Sequence, residues 1–203
     1  MGFFDALFGR KKKTRVEVIP DRIWMTTAAK FRGVAREAAD RSHSETVAIL
    51  LVAHFPDVLV QLEEICEQWS RTVLCRAVLA ENLDADLAAG LNLNEAAVID
   101  VIVAERHPIP AVDDQLEQVA ESFTCRCRFS HHLSLDDPVI EFFAGDWVRN
   151  VLQKLGMTED EPIESAMVSR RIRQAQQAIA GRTTGNQSSQ SAGEWLQRNC
   201  EPR

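Results

Sequence analysis

The stretch "CRCRFSHH" sets Cys125, Cys127 and His131 at i, i+2 and i+6, followed by His132. In a regular strand the first three point to one face and His132 to the other. Thiolate sulfur and imidazole nitrogen are the ligands that zinc prefers. A structural zinc site, however, takes about four converging ligands. The spacing therefore favours small cysteines buried in a strand, with histidines near its end. A thiol nucleophile partnered by His107 or His132 would lack any flanking signature.

Carboxylates offer a second kind of chemistry. Asp113, Asp114, Asp136, Asp137 and Asp160 could form an acidic catalytic site. Asp113 precedes a predicted helix and Asp136–Asp137 precede Pro138, where carboxylates satisfy free backbone N–H groups. Helix starts account for most of them. His54, in "AHFPD", follows an apolar run, at the end of a strand where parallel sheets hold ligands. The competing reading, a solvent-facing turn residue, is favoured by its loop position.

A third candidate is a surface. "MGFFDALFGRKKKTR" places Phe3, Phe4, Leu7 and Phe8 on one side of a helix, with Lys11, Lys12 and Lys13 next to them. An apolar face beside a cationic cluster suits an anionic membrane surface. One buried Phe contributes roughly 1.5–3 kcal/mol and each nearby Lys about 1 kcal/mol, enough for reversible attachment. The alternatives are a disordered tail or a short helix docking on a protein partner. Ala6 breaks the myristoylation pattern.

The elements that must position these residues follow from periodicity. Residues 21–40 read as an amphipathic helix burying Ile23, Ala28, Phe31, Val34 and Ala38. "TVAILLVAHF" (46–55) is a buried parallel strand stopped by Pro56. A helix opening at Asp57, strands over 72–80 and 96–105, a helix over 113–122 and a strand over 123–135 follow. Helices over 138–155 and 167–180 come next. This alternation predicts βαβ units around a parallel sheet. Past Gly181, the polar segment is expected to be flexible.

With 203 residues, 45% of them hydrophobic, the chain can bury a core of ordinary domain size. A net charge of −7 argues against a dedicated nucleic-acid binder. Five irregularly spaced cysteines make no disulfide framework and predict a reducing compartment, the cytoplasm. No apolar run reaches the roughly 18–20 residues of a membrane span. At the N-terminus apolar residues precede the positive charges, the reverse of a secretory signal.

The C-terminal third resembles the second nucleotide-binding lobe of SecA, the preprotein-translocase ATPase. "ERH" (105–107) is similar to that lobe's G-T-E-R-H, and "DDQL" (113–116) to its I-D-N-Q-L. "LSLDDPVIEFFAGDWVRNVLQKLGMTEDEPIESAMVSRRI" then follows L-S-L-E-D-D-L-M-R-x-F-G-x-D, K-L-G-M-x-x-x-E-P-I-E and M-V-x-x-x-I. The likeness covers about 98–181 well, and 21–80 only in pattern.

Between Leu116 and Leu133 the likeness breaks without a change of length. Where the family has R-G-R-x-G-R-Q-G-D-x-G-S-S-R-F-x, this sequence has "EQVAESFTCRCRFSHH". The resemblance places Glu117, Val119 and Ser122 where the family has arginines that face ATP phosphates. Arginine suits that task through its planar, permanently charged fork, and such a finger changes phosphoryl-transfer rates by roughly 10³–10⁵. A glycine-rich A-G-R-G-T-D counterpart is absent, as is any G-x-x-x-x-G-K-[ST] phosphate cradle.

The resemblance implies one RecA-like α/β lobe: a mainly parallel sheet flanked by helices, with C-terminal helices and flexible ends. The expected divisions are a basic amphipathic segment (1–20), the lobe (21–181) and a flexible tail (182–203). The expected role is a non-enzymatic interaction module of preprotein translocation, without a cofactor. It would bind the SecA motor, the translocon or, through residues 1–15, the inner face of the plasma membrane. The alternative is a regulatory subunit that completes a nucleotide site in trans with a partner ATPase. A third possibility is that only the fold survives, with an unrelated partner.

Overall fold

A computed structural model describes residues 15–84, 87, 90, 91, 94–142, 144, 146–154 and 157–201. The elements run β1 (Val16–Val18), β2 (Arg22–Trp24), α1 (Thr27–Arg41), β3 (Thr46–Ala53), α2 (Pro56–Glu67) and β4 (Leu74–Leu79). They continue with β5 (Val98–Val103), α3 (Pro110–Ser122), β6 (Arg126–Ser134), α4 (Pro138–Glu141) and α5 (Asp146–Lys154). β7 (Ile163–Glu164), α6 (Ala166–Ala180) and α7 (Ala192–Asn199) complete the series.

The strands form one seven-stranded sheet in the order β4-β3-β5-β6-β2-β7, with β1 also paired to β6. Among the described strands every pairing is parallel except β2 with β7. β3 and β5 are apolar almost throughout because both of their faces are covered. Alternation still sorts their side chains. Ile49, Leu51 and Ala53 face α1 and α2 in a core with Val34, Ala38 and Leu62. Leu50, Val52, Val101 and Val103 face the opposite way, with Leu116 and Ala120 of α3. This is the α/β lobe with a mainly parallel sheet that the sequence implies.

Several boundaries differ from the sequence reading, among them the start of α3 at Pro110 rather than at residue 113. The helix expected from residue 21 begins at Thr27, capped by the Thr26 hydroxyl, which accepts the Ala29 N–H. The residues before it form β2, because Arg22–Trp24 pair with His132–Ser134. Ile23 is buried in that strand, while Ala28 is exposed on the helix. β1 joins the sheet from within the segment expected to precede the lobe. The helix expected over 138–155 is two helices, α4 and α5.

The expected flexible tail contains α7. Ser191 caps it by accepting the Glu194 N–H, while Glu194 accepts the N–H of Gln190, just before the cap. Trp195, 3% exposed, anchors the helix against Phe55, Ile140 and Ile179. Asn199 ties the preceding loop by accepting the Gln187 N–H and donating to its carbonyl. One buried Trp and a cap outweigh the polar composition of the segment around them.

Candidate functional site

Beyond the C-terminal ends of β3, β5 and β6, ionisable side chains are buried together. Glu105, directly after β5, accepts the N–H groups of His54 (2.8 Å) and Phe55 (3.0 Å) ahead of α2. Burial pushes its carboxyl up to about 7, partly offset by His54 and Lys30. Arg106 extends to Asp21 Oδ1 (2.6 Å) and to Asp113 Oδ2 (3.3 Å). Asp113, wholly buried in the first turn of α3, also accepts the His107 N–H and a Gln176 amide N–H.

His54 completes this knot. Its Nε2 lies 2.9 Å from Asp113 Oδ1, close enough for strong attraction although the angle falls short of a hydrogen bond. Burial alone would raise the Asp113 carboxyl, but His54 and Arg106 hold it well below the usual carboxylate range. His131, fully buried, has no hydrogen-bond partner among the described residues on either ring nitrogen, and its Nδ1 lies 3.8 Å from Asp21 Oδ1. Burial and the Arg106 charge keep it neutral far below the ordinary histidine range. His107 stacks on Phe55 and meets Trp195 edge-on, and burial lowers it to about 4.

The knot joins the β1–β2 turn, the end of β3, the end of β5, α3 and α6. Its chemistry is internal pairing. Two expectations are corrected here. Asp113 serves as a buried acceptor for several donors and caps no helix through its side chain, because Arg106, His107 and Gln176 all converge on it. His54 turns inward, its side chain 1% exposed, because Asp113 lies beneath it.

A second set surrounds the start of α1. Lys30 is 2% exposed and reaches Asp137 Oδ1 at 2.8 Å. Asp137 also accepts the backbone N–H and hydroxyl of Ser134. Asp136 accepts the Thr27 N–H and pairs with Arg149, so it serves a helix far away in sequence. A cavity of about 340 Å³ opens here, lined by Lys30, Asp57, Glu105, Asp136 and Asp137 among others. A phosphate entering it would meet four carboxylates, and the two cations that also line it, Lys30 and Arg106, already have acidic partners.

The three positions where the resemblance places arginines do not converge. Glu117 is half-buried on α3, its Oε1 3.9 Å from Arg106 Nη1. Burial and nearby acids raise its carboxyl despite Arg106. Val119 packs into the apolar cluster beneath α3. Ser122, exposed in the last turn, donates its hydroxyl hydrogen to the Val119 carbonyl.

On β6 and at the residue just before it the expected alternation holds. Cys125 and Cys127 join the α3-side core, and His132 faces α1. His132 Nδ1 accepts the Trp24 indole N–H (3.1 Å), so Nε2 donates to Glu37 at 2.6 Å. Arg22 and Arg41 also pair with Glu37. Burial would raise that carboxyl, but these partners hold it down at about 2. Among the described residues, no three His, Cys, Asp or Glu side chains are grouped to hold a metal ion. Phe3, Phe4, Leu7, Phe8, Lys11, Lys12 and Lys13 lie outside the described residues. No helix among the described residues is long and apolar enough to cross a membrane.

Sequence reasoning missed the Asp21–Arg106–Asp113–His54 knot. The available signal was "ERH" directly after an apolar strand, since charges there must find partners on other elements.

No family model matches the chain. It is 37% identical over 122 residues to the protein translocase subunit SecA of Acidobacterium capsulatum, a match covering 60% of this chain and 12% of that protein. It is 39% identical over 87 residues to SecA of Koribacter versatilis, covering 43% and 9%. SecA of Desulfotalea psychrophila is 27% identical over 183 residues, covering 79% and 22%. The chain is thus SecA-like and resembles part of SecA, spanning less than a quarter of the length of these relatives.

Proposed function

We propose that this SecA-like chain is a non-enzymatic interaction module of preprotein translocation, a motor lobe without the motor's chemistry. The observation that carries the reading is Glu117. It stands where the resemblance places a phosphate-facing arginine, and its carboxylate points towards Arg106. Arg106 is itself engaged by Asp21 and Asp113, which leaves it poorly placed to act as a finger. A carboxylate at that position repels phosphate, and a fork already paired cannot supply the charge that phosphoryl transfer needs. A lobe of this shape would work by occupying a surface that receives the true lobe, through competition or scaffolding. Its partners would be the SecA motor, the translocon or the inner face of the plasma membrane.

The test is a pull-down of the full-length protein from its native lysate, with and without ATP, read by mass spectrometry, beside a phosphate-release assay of the purified chain. Recovery of SecA or translocon subunits, with phosphate release at background, supports the proposal. Recovery only with ATP favours a subunit that completes a nucleotide site in trans. Hydrolysis by the chain alone, or partners foreign to secretion, overturns it.

A further inference from the structure

Of the five cysteines, Cys66 and Cys75 stand apart because both are partly exposed and their sulfurs touch. The Sγ–Sγ distance is 3.7 Å, although no bond joins them. Cys66 lies in the last turn of α2, and Cys75 lies in β4, at the edge of the sheet. Closing the gap to a disulfide length of about 2.05 Å asks for a shift of less than 2 Å. The end of a surface helix can absorb that. Cys125 and Cys127 are also close in sequence, but they are buried in the core, out of reach of solutes.

We propose that Cys66 and Cys75 form a reversible thiol-oxidation site, with Cys66 the attacking thiol, Cys75 the resolving thiol and a small hydroperoxide the oxidant. Either sulfur can donate in this contact. With the proton held on Cys75, the contact lowers the Cys66 thiol below its ordinary pKa while that contact and burial raise Cys75, and this assigns the order of attack. The Cys66 thiolate attacks the peroxide. An S–O bond forms, the O–O bond breaks, and the departing hydroxide takes up a proton. Cys66 is then a sulfenic acid, oxidised as the peroxide is reduced. The Cys75 sulfur attacks Cys66, the S–S bond forms, and the S–O bond breaks. The leaving oxygen departs as water with the Cys75 proton. In sum, two thiols and hydrogen peroxide become a disulfide and two waters. The bridge fastens the end of α2 to the edge strand, across the turn in which Trp69 donates to the Val73 carbonyl.

The test uses the full-length protein, reduced, freed of reductant and treated with hydrogen peroxide. Thiol titration should fall by two of the five thiols, with a loss of two hydrogens in intact mass and a Cys66–Cys75 linked peptide after digestion. Thiol-disulfide reductant should restore both. Cys75→Ser should leave Cys66 as a sulfenic acid that dimedone captures, whereas Cys66→Ser should leave Cys75 unlabelled. Both side chains are partly exposed, so the serine variants are expected to fold, which circular dichroism checks. A linked peptide through Cys125 or Cys200, equal labelling at either position, or retention of all five thiols would each overturn the proposal. If a serine variant fails to fold, the wild-type linked peptide decides the matter alone.

Discussion

The carboxylate of Asp113 receives donors from two separate stretches of chain, and the imidazole of His54, on a third, sits 2.9 Å away. Arg106, the His107 N–H and Gln176 supply the other contacts. Asp113 therefore fixes where the end of β3, the end of β5 and helices α3 and α6 lie relative to one another. Burying it is tolerable because Arg106, the His107 N–H and Gln176 donate to it.

Removing that one charge should be costly. Asp113→Ala leaves the Arg106 guanidinium beside Asp21 with half of its buried pairing, and should destabilise the fold by about 3–5 kcal/mol. Asp114→Ala, whose pairing with Arg173 is at the surface, should cost only about 0–1 kcal/mol. Urea unfolding of both variants checks the contrast, and equal losses would show that the buried pairing has no special weight.

Gly33 faces the indole of Trp24 so closely that a Cβ built on it would run into the ring at Cζ2 and Cε2. Gly33→Ala should therefore destabilise by at least about 1–3 kcal/mol through overpacking. Trp24→Phe removes the ring atoms in the way, along with the hydrogen bond to His132. The double variant should then lose less than the sum of the single losses. Strict additivity in a denaturation cycle would mean that the backbone moves aside instead.

Stability should respond to pH through groups of opposite sign. His107, lowered to about 4, binds its proton more readily in the unfolded chain, so stability is lost as pH falls from about 6.5 towards 4. Glu37, lowered to about 2, adds stability above its unfolded value that is lost as pH falls through the folded one. Glu105, raised to about 7, binds its proton more tightly when folded, so its contribution declines as pH rises from about 4.5 to 7. Glu105→Gln keeps an acceptor for the His54 and Phe55 N–H groups and removes that decline. The rise of stability from pH 4.5 to 7 should steepen in this variant, as read by denaturant unfolding across that range.

The segment rich in phenylalanine and lysine gives a prediction at the lipid surface. Full-length protein should co-sediment with vesicles containing phosphatidylserine, and more weakly as salt rises. Deletion of residues 1–15 should remove the binding, and binding that survives the deletion would place the attachment elsewhere.

Much of the lobe was legible along the chain because its signals are local. The apolar runs at 46–53 and 98–103, each stopped by turn residues, can only be strands covered on both faces. Pro56, Pro110 and Pro138 each stand in the first turn of a helix, where a missing N–H costs nothing. Glu117, Val119 and Ser122 were visible as departures from a family pattern, which needs only the order of residues.

Tertiary structure decided the rest, since it depends on partners far away in sequence. Arg22–Trp24 carries a helical pattern, yet it is a strand because β6 offers it a ladder. Asp113 and Asp136 both have the spacing of helix caps. One became a buried hub and the other serves the distant helix α1, according to which donors the packed elements brought near. His54 was decided in the same way by Asp113, more than 50 residues away. Periodicity and turn chemistry act over a few residues and can be read in a line. The pairing of buried charges is a constraint in space, and only the folded chain shows which acid meets which base.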